Sequence, residues 1–286
     1  NLVSRYGEVP ILKMPFSGDI AASTEEEGWN FVEENFQSAI DYAPVFTDKH
    51  YVSKQAAKAL MARTKLARGK LTDAAKLAEE VINDVNFSLA DFDQIFRGKA
   101  NREEIFSFAN LLNESSVNLG ASLYSRASSN GGSYMYAPTV KVINMFEPDD
   151  KRTSISINMQ ETNEVINKYS GGEVATDPII ITRLGEMYLI SAEAQGLAKG
   201  LSRLNELLNF RGLPSIHPTS EKDFLDAILK ERHTELLAEG FRWFDLVRLK
   251  RLESDLGFER KYNRLPIPAK EMSLNKLLKQ NSYWAN

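Results

Sequence analysis

The chain has 286 residues, with 35 basic and 39 acidic side chains, a formal net charge of −4 and no cysteine. Its 43% hydrophobic and 26% charged content is that of an ordinary globular protein long enough to bury a large core. The near-balance of charge gives no basis for a nucleic-acid partner, the missing cysteine excludes disulfides, thiol nucleophiles and Cys-ligated zinc, and no apolar run approaches the roughly 20 residues that cross a bilayer.

Residues 1–12 carry no initiator Met, no basic n-region and no apolar h-region. They read as the interior of a longer chain entering on a short strand at 9–12, with any export signal or lipid anchor expected outside this sequence. The first helix signal follows. Ser23 with Glu26, or Thr24 with Glu27, has capping-box spacing, and Trp29, Val32, Phe36 and Ile40 recur at helical intervals until Pro44. The acidic triplet Glu25, Glu26 and Glu27 fits the positive end of a helix better than a metal site.

Residues 54–68 and 71–85 form an Ala-rich pair broken at Gly69, the pattern of a tetratricopeptide-like helical hairpin. From 87 to 177 the texture is loop-rich, with strands expected at 105–108 and 154–157. Between them lies a polar stretch in which Tyr124, Arg126, Asn130, Tyr134 and Tyr136 stand close together. A long polar stretch in a compact protein is usually functional or disordered, and these five residues are its candidates for binding a ligand. The structural alternative is that these tyrosines pack under their own loop. Helices are expected again at 180–199, 204–209 and 221–239, and the tail after 265 is too Pro-rich for regular structure.

Catalytic and cofactor motifs are missing. The three histidines, His50, His217 and His233, have no metal-ligand spacing, and no phosphate loop, dinucleotide fingerprint or nucleophile elbow is present. No cofactor and no metal are expected. Ser273 and Lys276 fit a Ser-x-x-Lys spacing without the companion motifs. Glu231, Arg232, Glu235, Glu239, Arg242, Asp245 and Arg248 lie among large apolar residues. That density predicts partly buried ion pairs locking a helix end, with a catalytic cluster as the alternative. Trp243 and Phe244 in the same stretch are expected in the core.

The same stretch carries a resemblance. ERHTELLAEGFRWFDLVR at 231–248 is similar to the ERRxELxxEGxRWFDLxR segment of SusD/RagB proteins. In consistent order, RLGEMYLISAEA at 183–194, the 203–214 hairpin ending in RGLP, LPIP at 265–268 and LKQNSY at 278–283 also resemble that family. So do YGEVP at 6–10 and the 146–152 loop ending in Asp-Lys-Arg. Leu208-Asn-Phe in a slightly short hairpin and Ser282 in the closing motif depart from the family pattern, and the N-terminal region that the resemblance implies is expected outside this sequence. The resemblance implies a mainly α, tetratricopeptide-like helical-repeat scaffold with long irregular loops and a few short strands. It implies a single SusD/RagB-type domain over 1–286, the C-terminal part of a longer chain, with 87–177 as a loop-rich insert. It further implies a non-catalytic outer-membrane, cell-surface lipoprotein. Such a protein captures an oligosaccharide or other nutrient ligand and passes it to a SusC-type TonB-dependent outer-membrane transporter. Two other readings remain open from the residues alone, a helical-repeat protein adaptor and a surface glycosidase.

Overall fold

The computed structural model describes residues 2–15, 18–111, 113, 117–124, 132–160, 162–169 and 176–285. In chain order its elements begin with α1 (Leu2–Tyr6), α2 (Glu25–Tyr42), α3 (Lys54–Ala67), α4 (Leu71–Ile82), α5 (Phe92–Phe96) and β1 (Glu104–Phe108). The loop-rich middle holds α6 (Val140–Ile143), α7 (Thr153–Ser156), β2 (Ile157–Gln160), β3 (Asn163–Ile166) and β4 (Ile179–Arg183). Then come α8 (Leu184–Phe210), α9 (Glu221–Glu235), α10 (Arg242–Arg248), α11 (Leu252–Leu256), a 3-10 turn at Arg260–Asn263, and α12 (Ala269–Leu274). The fold is mainly helical and tetratricopeptide-like, with only short strands.

Several local expectations are corrected. The strand at 9–12 is reduced to one antiparallel bridge between Val9 and Ser23, because Pro10 has no N–H with which to extend a ladder. The strand expected at 154–157 begins only at Ile157, preceded by the single turn α7. The helix expected from 180 begins at Leu184. Ile179, Ile180, Ile181 and Thr182 are β-branched, follow Pro178, and pair antiparallel with β1 instead. α9 ends at Glu235, four residues early, in a turn containing left-handed Ala238 and Gly240. The tail contains α12, in which Pro268 stands at the N-cap. Of the two capping boxes, Thr24–Glu27 forms. Glu27 N–H donates to Thr24 Oγ1 (3.2 Å) and Thr24 N–H to Glu27 Oε2 (2.8 Å).

The chain divides into two compact units, residues 39–241 and residues 1–38 with 242–286. In the larger unit, α3 and α4 form the expected hairpin, turned at Gly69 (φ +70°) and capped by Ser53, which accepts from Ala56 N–H (3.1 Å). α8 is itself a hairpin. Gly196 (φ 69°, ψ 179°) breaks it, and the Tyr188 hydroxyl donates to Glu206 at 2.8 Å across 18 residues, a span of about 27 Å along a straight helix. The two arms meet at Gly200, where any Cβ would overlap the Ala192 carbonyl. The hairpins are cross-linked by Glu79 on α4, which accepts from Ser191 (2.5 Å) on one arm and Arg203 (2.6 Å) on the other. Between them lies a continuous core built from Ala59, Ala62, Ala74, Ala78, Leu189 and Leu207 among others. Small residues let the helices approach closely, and each buried Leu contributes about 1.5–3 kcal/mol.

The smaller unit has few buried side chains, with Val3, Leu246 and Leu252 among them. Arg264 ties it together by pairing with Glu25 (2.5 Å) and donating to the Ser4 carbonyl (3.3 Å). A row of edge-to-face rings, Trp243–Phe258–Tyr262–Trp284, has centroid spacings of 5.8, 5.5 and 5.3 Å. Trp243 and Phe244 are thus half-buried rather than core. Asp245 pairs with Arg248 (2.8 Å) and Arg242 with Asp255 (3.2 Å).

Candidate functional site

The polar stretch singled out in the sequence is held by backbone. Ser133, Tyr134, Met135 and Tyr136 donate their N–H groups to Ala121 (2.7 Å), Tyr124 (2.7 Å), Ser122 (2.8 Å) and Ser122 (3.0 Å) carbonyls. Gly132 is required here, since a Cβ would collide with the Tyr124 backbone. Tyr134 adopts φ 48°, a left-handed conformation unusual for a bulky residue. Its hydroxyl donates to the Glu164 carbonyl on β3 (3.0 Å), so the ring is fixed at both ends. Beyond it Met135 and Tyr136 stand 67% and 60% exposed on this pinned backbone.

Tyr124 is placed differently. It is 1% exposed, lies under the loop, and donates its hydroxyl to the Tyr169 carbonyl. Burial, then the charge of Asp177, pushes that hydroxyl's pKa upward. Its ring supports the loop and has no face open to a ligand. Arg126 and Asn130 lie outside the described residues. Of the five sequence-derived residues, the structure therefore brings Tyr134 and Tyr136 together on one stub, with Tyr124 as the support beneath.

Under this loop region runs a buried ionic hub, all of it in the larger unit. Glu235, at the end of α9, has no exposed surface and accepts from three arginines. These are Arg183 NH1 (2.5 Å), Arg152 NH1 (2.8 Å), and Arg211 through NH2 (2.8 Å) and Nε (3.1 Å). Arg183 and Arg211 also share Glu103 (2.8 and 2.9 Å). Arg152 forks onto Asp150 (2.8 and 2.7 Å) and reaches Glu231. Lys168 follows β3 and donates to the Glu235 carbonyl (2.8 Å) and Glu239 (2.9 Å), with Phe92 and Phe96 rings 4.9 and 4.8 Å away. Burial opposes the charge on Glu235, but Arg211, Arg183 and Arg152 overcome it and hold its pKa well below the carboxylate range. Burial wins at Glu231, which is pushed up despite Arg152. It also wins at Lys168, which falls to about 8 despite Glu239.

Four cations and five carboxyls thus neutralise one another almost completely. Their hydrogen bonds point inward, which is the arrangement of a structural lock. What it locks is useful to the site. Lys168 and Arg152 bracket the β2–β3 hairpin whose Glu164 carbonyl holds Tyr134. Beside the hub a small pocket of about 120 Å³ is lined by Leu208, Leu213, Pro214 and Ile216 together with Asp150 and Glu231. The exposed pair Lys230–Glu147 (2.9 Å) contributes to its lining. Sequence reasoning found Glu231, Glu235 and Glu239 but missed the cations Arg152, Lys168, Arg183 and Arg211 that pair with them, and the carboxyls of Glu103 and Asp150 that share those arginines. Arg152, Arg183 and Arg211 each sit in a short motif noted above, and that recurrence was the available signal.

Comparison with known proteins agrees with this geometry. Residues 151–264, which contain most of the hub, match the model of a family described as the SusD family. A curated relative, SusD-like protein P2 of Formosa agariphila, is 24% identical over 99% of this chain and 70% of its own length. A solved laminarin-binding SusD-like protein superposes with a TM-score of 0.86 at 24% identity, covering 98% of this chain and 75% of that one. A SusD superfamily protein from Bacteroides vulgatus gives 0.87 at 21% identity, covering 99% and 75%. The two superpositions establish the shared fold.

Proposed function

We propose that the chain is a member of the SusD/RagB family, whose model matches residues 151–264, and that it binds oligosaccharide at the outer cell surface, without catalysis, and hands it to a TonB-dependent outer-membrane transporter. The observation that carries the reading is the likeness, over 98% of this chain, to a SusD-like protein that binds laminarin. The geometry of the 132–136 stub supports it. Tyr136 offers an exposed ring on a backbone fixed before any ligand arrives, and preorganisation of that kind lowers the entropy cost of binding. The bonded Tyr134 places that stub against β3, and Arg126 and Asn130 complete the proposed polar set by sequence. Membership of the family also supports a surface lipoprotein location.

The test is calorimetric titration of the chain with laminarin and a panel of other glycans. Binding of at least one is expected, with Tyr136→Ala weakening it about tenfold, the loss of one aromatic–sugar contact of roughly 1–1.5 kcal/mol. Unchanged affinity in Tyr136→Ala sinks the loop assignment. No heat with any glycan, together with measured release of reducing ends, sinks the non-catalytic glycan-binding reading.

A further inference from the structure

In the smaller unit, residues 267–280 form a closed loop. Ile267 N–H donates to the Gln280 side-chain carbonyl (2.8 Å), and the Gln280 amide donates back to the Ile267 carbonyl (3.0 Å). Asn281 adds a bond from its side-chain amide to the Leu265 carbonyl. Midway round, Asn275 both accepts from Ile20 N–H (3.2 Å) and donates to the Ile20 carbonyl (2.8 Å). Compact loops with ends joined in this way hold one conformation.

What this one holds outward is unusual. Leu274 and Leu277 are 67% and 52% exposed, and Lys270, Lys276 and Lys279 are exposed around them. Lys270 precedes Leu274 by one helical turn and so shares its face. Glu271 is the single acid in the loop, leaving a net charge of +2. Tyr283, 53% exposed, lies just beyond. Two leucines kept in water on a pinned loop forfeit burial that a looser loop could recover.

We propose that this loop is a docking surface for a membrane bearing anionic headgroups, with the leucines entering the acyl boundary and the lysines reaching the phosphates. Lysine stems extend along apolar surface while their ammonium groups stay at the charged layer, and a tyrosine at the rim suits the headgroup level. A protein partner is the poorer fit. Protein interfaces are depleted in Lys, and residues 267–280 set three lysines around the two exposed leucines with no Trp or Arg anchor among them. This docking is separate from glycan binding and involves none of the residues of the 132–136 stub.

The test is co-sedimentation of the chain with vesicles of phosphatidylcholine alone and of two parts phosphatidylcholine to one part phosphatidylglycerol. Binding to the anionic vesicles is expected, weakened by salt. Lys276→Glu/Lys279→Glu should reduce it at least about 25-fold, from roughly fivefold per lysine near an anionic surface. Leu274→Ser/Leu277→Ser should abolish the part that survives high salt. All four side chains are solvent-facing, so thermal melts of the variants should match the parent, and Tyr136→Ala should bind vesicles as the parent does. Absence of binding to anionic vesicles, equal binding to neutral ones, or indifference to both double variants overturns the proposal. Self-association in sedimentation velocity that Leu274→Ser/Leu277→Ser removes, without vesicle binding, assigns the loop to a second copy and overturns it too.

Discussion

Glu235→Gln is the sharpest perturbation of this fold. The change preserves shape and one acceptor oxygen but removes the charge on which Arg152, Arg183 and Arg211 converge through four hydrogen bonds. The new amide nitrogen must face guanidinium donors, since both oxygens of the native carboxylate are occupied by them. Removing one partner from a buried ion cluster costs about 3–5 kcal/mol, because the remaining charges stay out of water without compensation. At roughly 2–4 °C per kcal/mol for a chain somewhat smaller than this one, the melting midpoint should fall by about 10 °C. Urea unfolding followed by far-UV circular dichroism measures the difference directly. Lys222→Gln is the control, because the Lys222–Asp226 pair is a surface one with Lys222 83% exposed, and it should change stability by under about 0.5 kcal/mol. A loss below about 1 kcal/mol in Glu235→Gln would refute the lock. So would additive losses in the double variant with Arg211→Met, since groups sharing one network must couple.

Three further outcomes follow from single residues. Lys168 titrates near 8 when folded and near 10.5 when unfolded. Between those values the unfolded chain holds a proton that the folded chain lacks, so stability should rise with pH across the window by up to about 3 kcal/mol. Lys168→Met should flatten that rise, and a parallel profile for the variant in urea melts from pH 7.5 to 9.5 (which samples roughly half of the full rise) would sink the assignment. Gly200→Ala, which drives a methyl into the Ala192 carbonyl, should cost about 3 kcal/mol or more by forcing the α8 arms apart, read as a lowered midpoint with an unchanged m-value. Ala238→Gly should stabilise by roughly 0.5 to 1 kcal/mol, because Ala238 sits at φ 62° on the surface, where a Cβ is penalised.

How legible these features were in the sequence depends on their range. The α3–α4 hairpin was plain, since its Ala spacing and Gly69 stop are local signals. The Thr24–Glu27 box was equally local. β4 was missed because Leu184, Met187 and Tyr188 continue a helical stripe that masks the β-branched run before it. The α8 hairpin was seen as two helices, and Gly196 as their divider was not, since a lone glycine among helix formers has no unique meaning. The hub was half visible. Three of its five acids fall within 231–239, but its arginines arrive from separate segments, and no periodicity reports a partner 83 residues away. Tyr124 shows the limit at the candidate site. A tyrosine in a polar loop has the same sequence signature whether it faces solvent or, as here, supports its neighbours from beneath.

The hub also has a consequence for the order in which the chain folds. Its bonds close separations of 80, 83 and 108 residues, whereas the two helical hairpins close locally. Loop-closure entropy therefore favours hairpins first and the hub late, after the carboxylates of α9 have arrived. Interactions absent from the transition state act on the escape rate from the native state rather than on its formation. Loss of Glu235 should accordingly appear as faster unfolding with little change in refolding rate. A native state held by such late contacts has a lifetime set by the barrier to opening rather than by the speed of its formation.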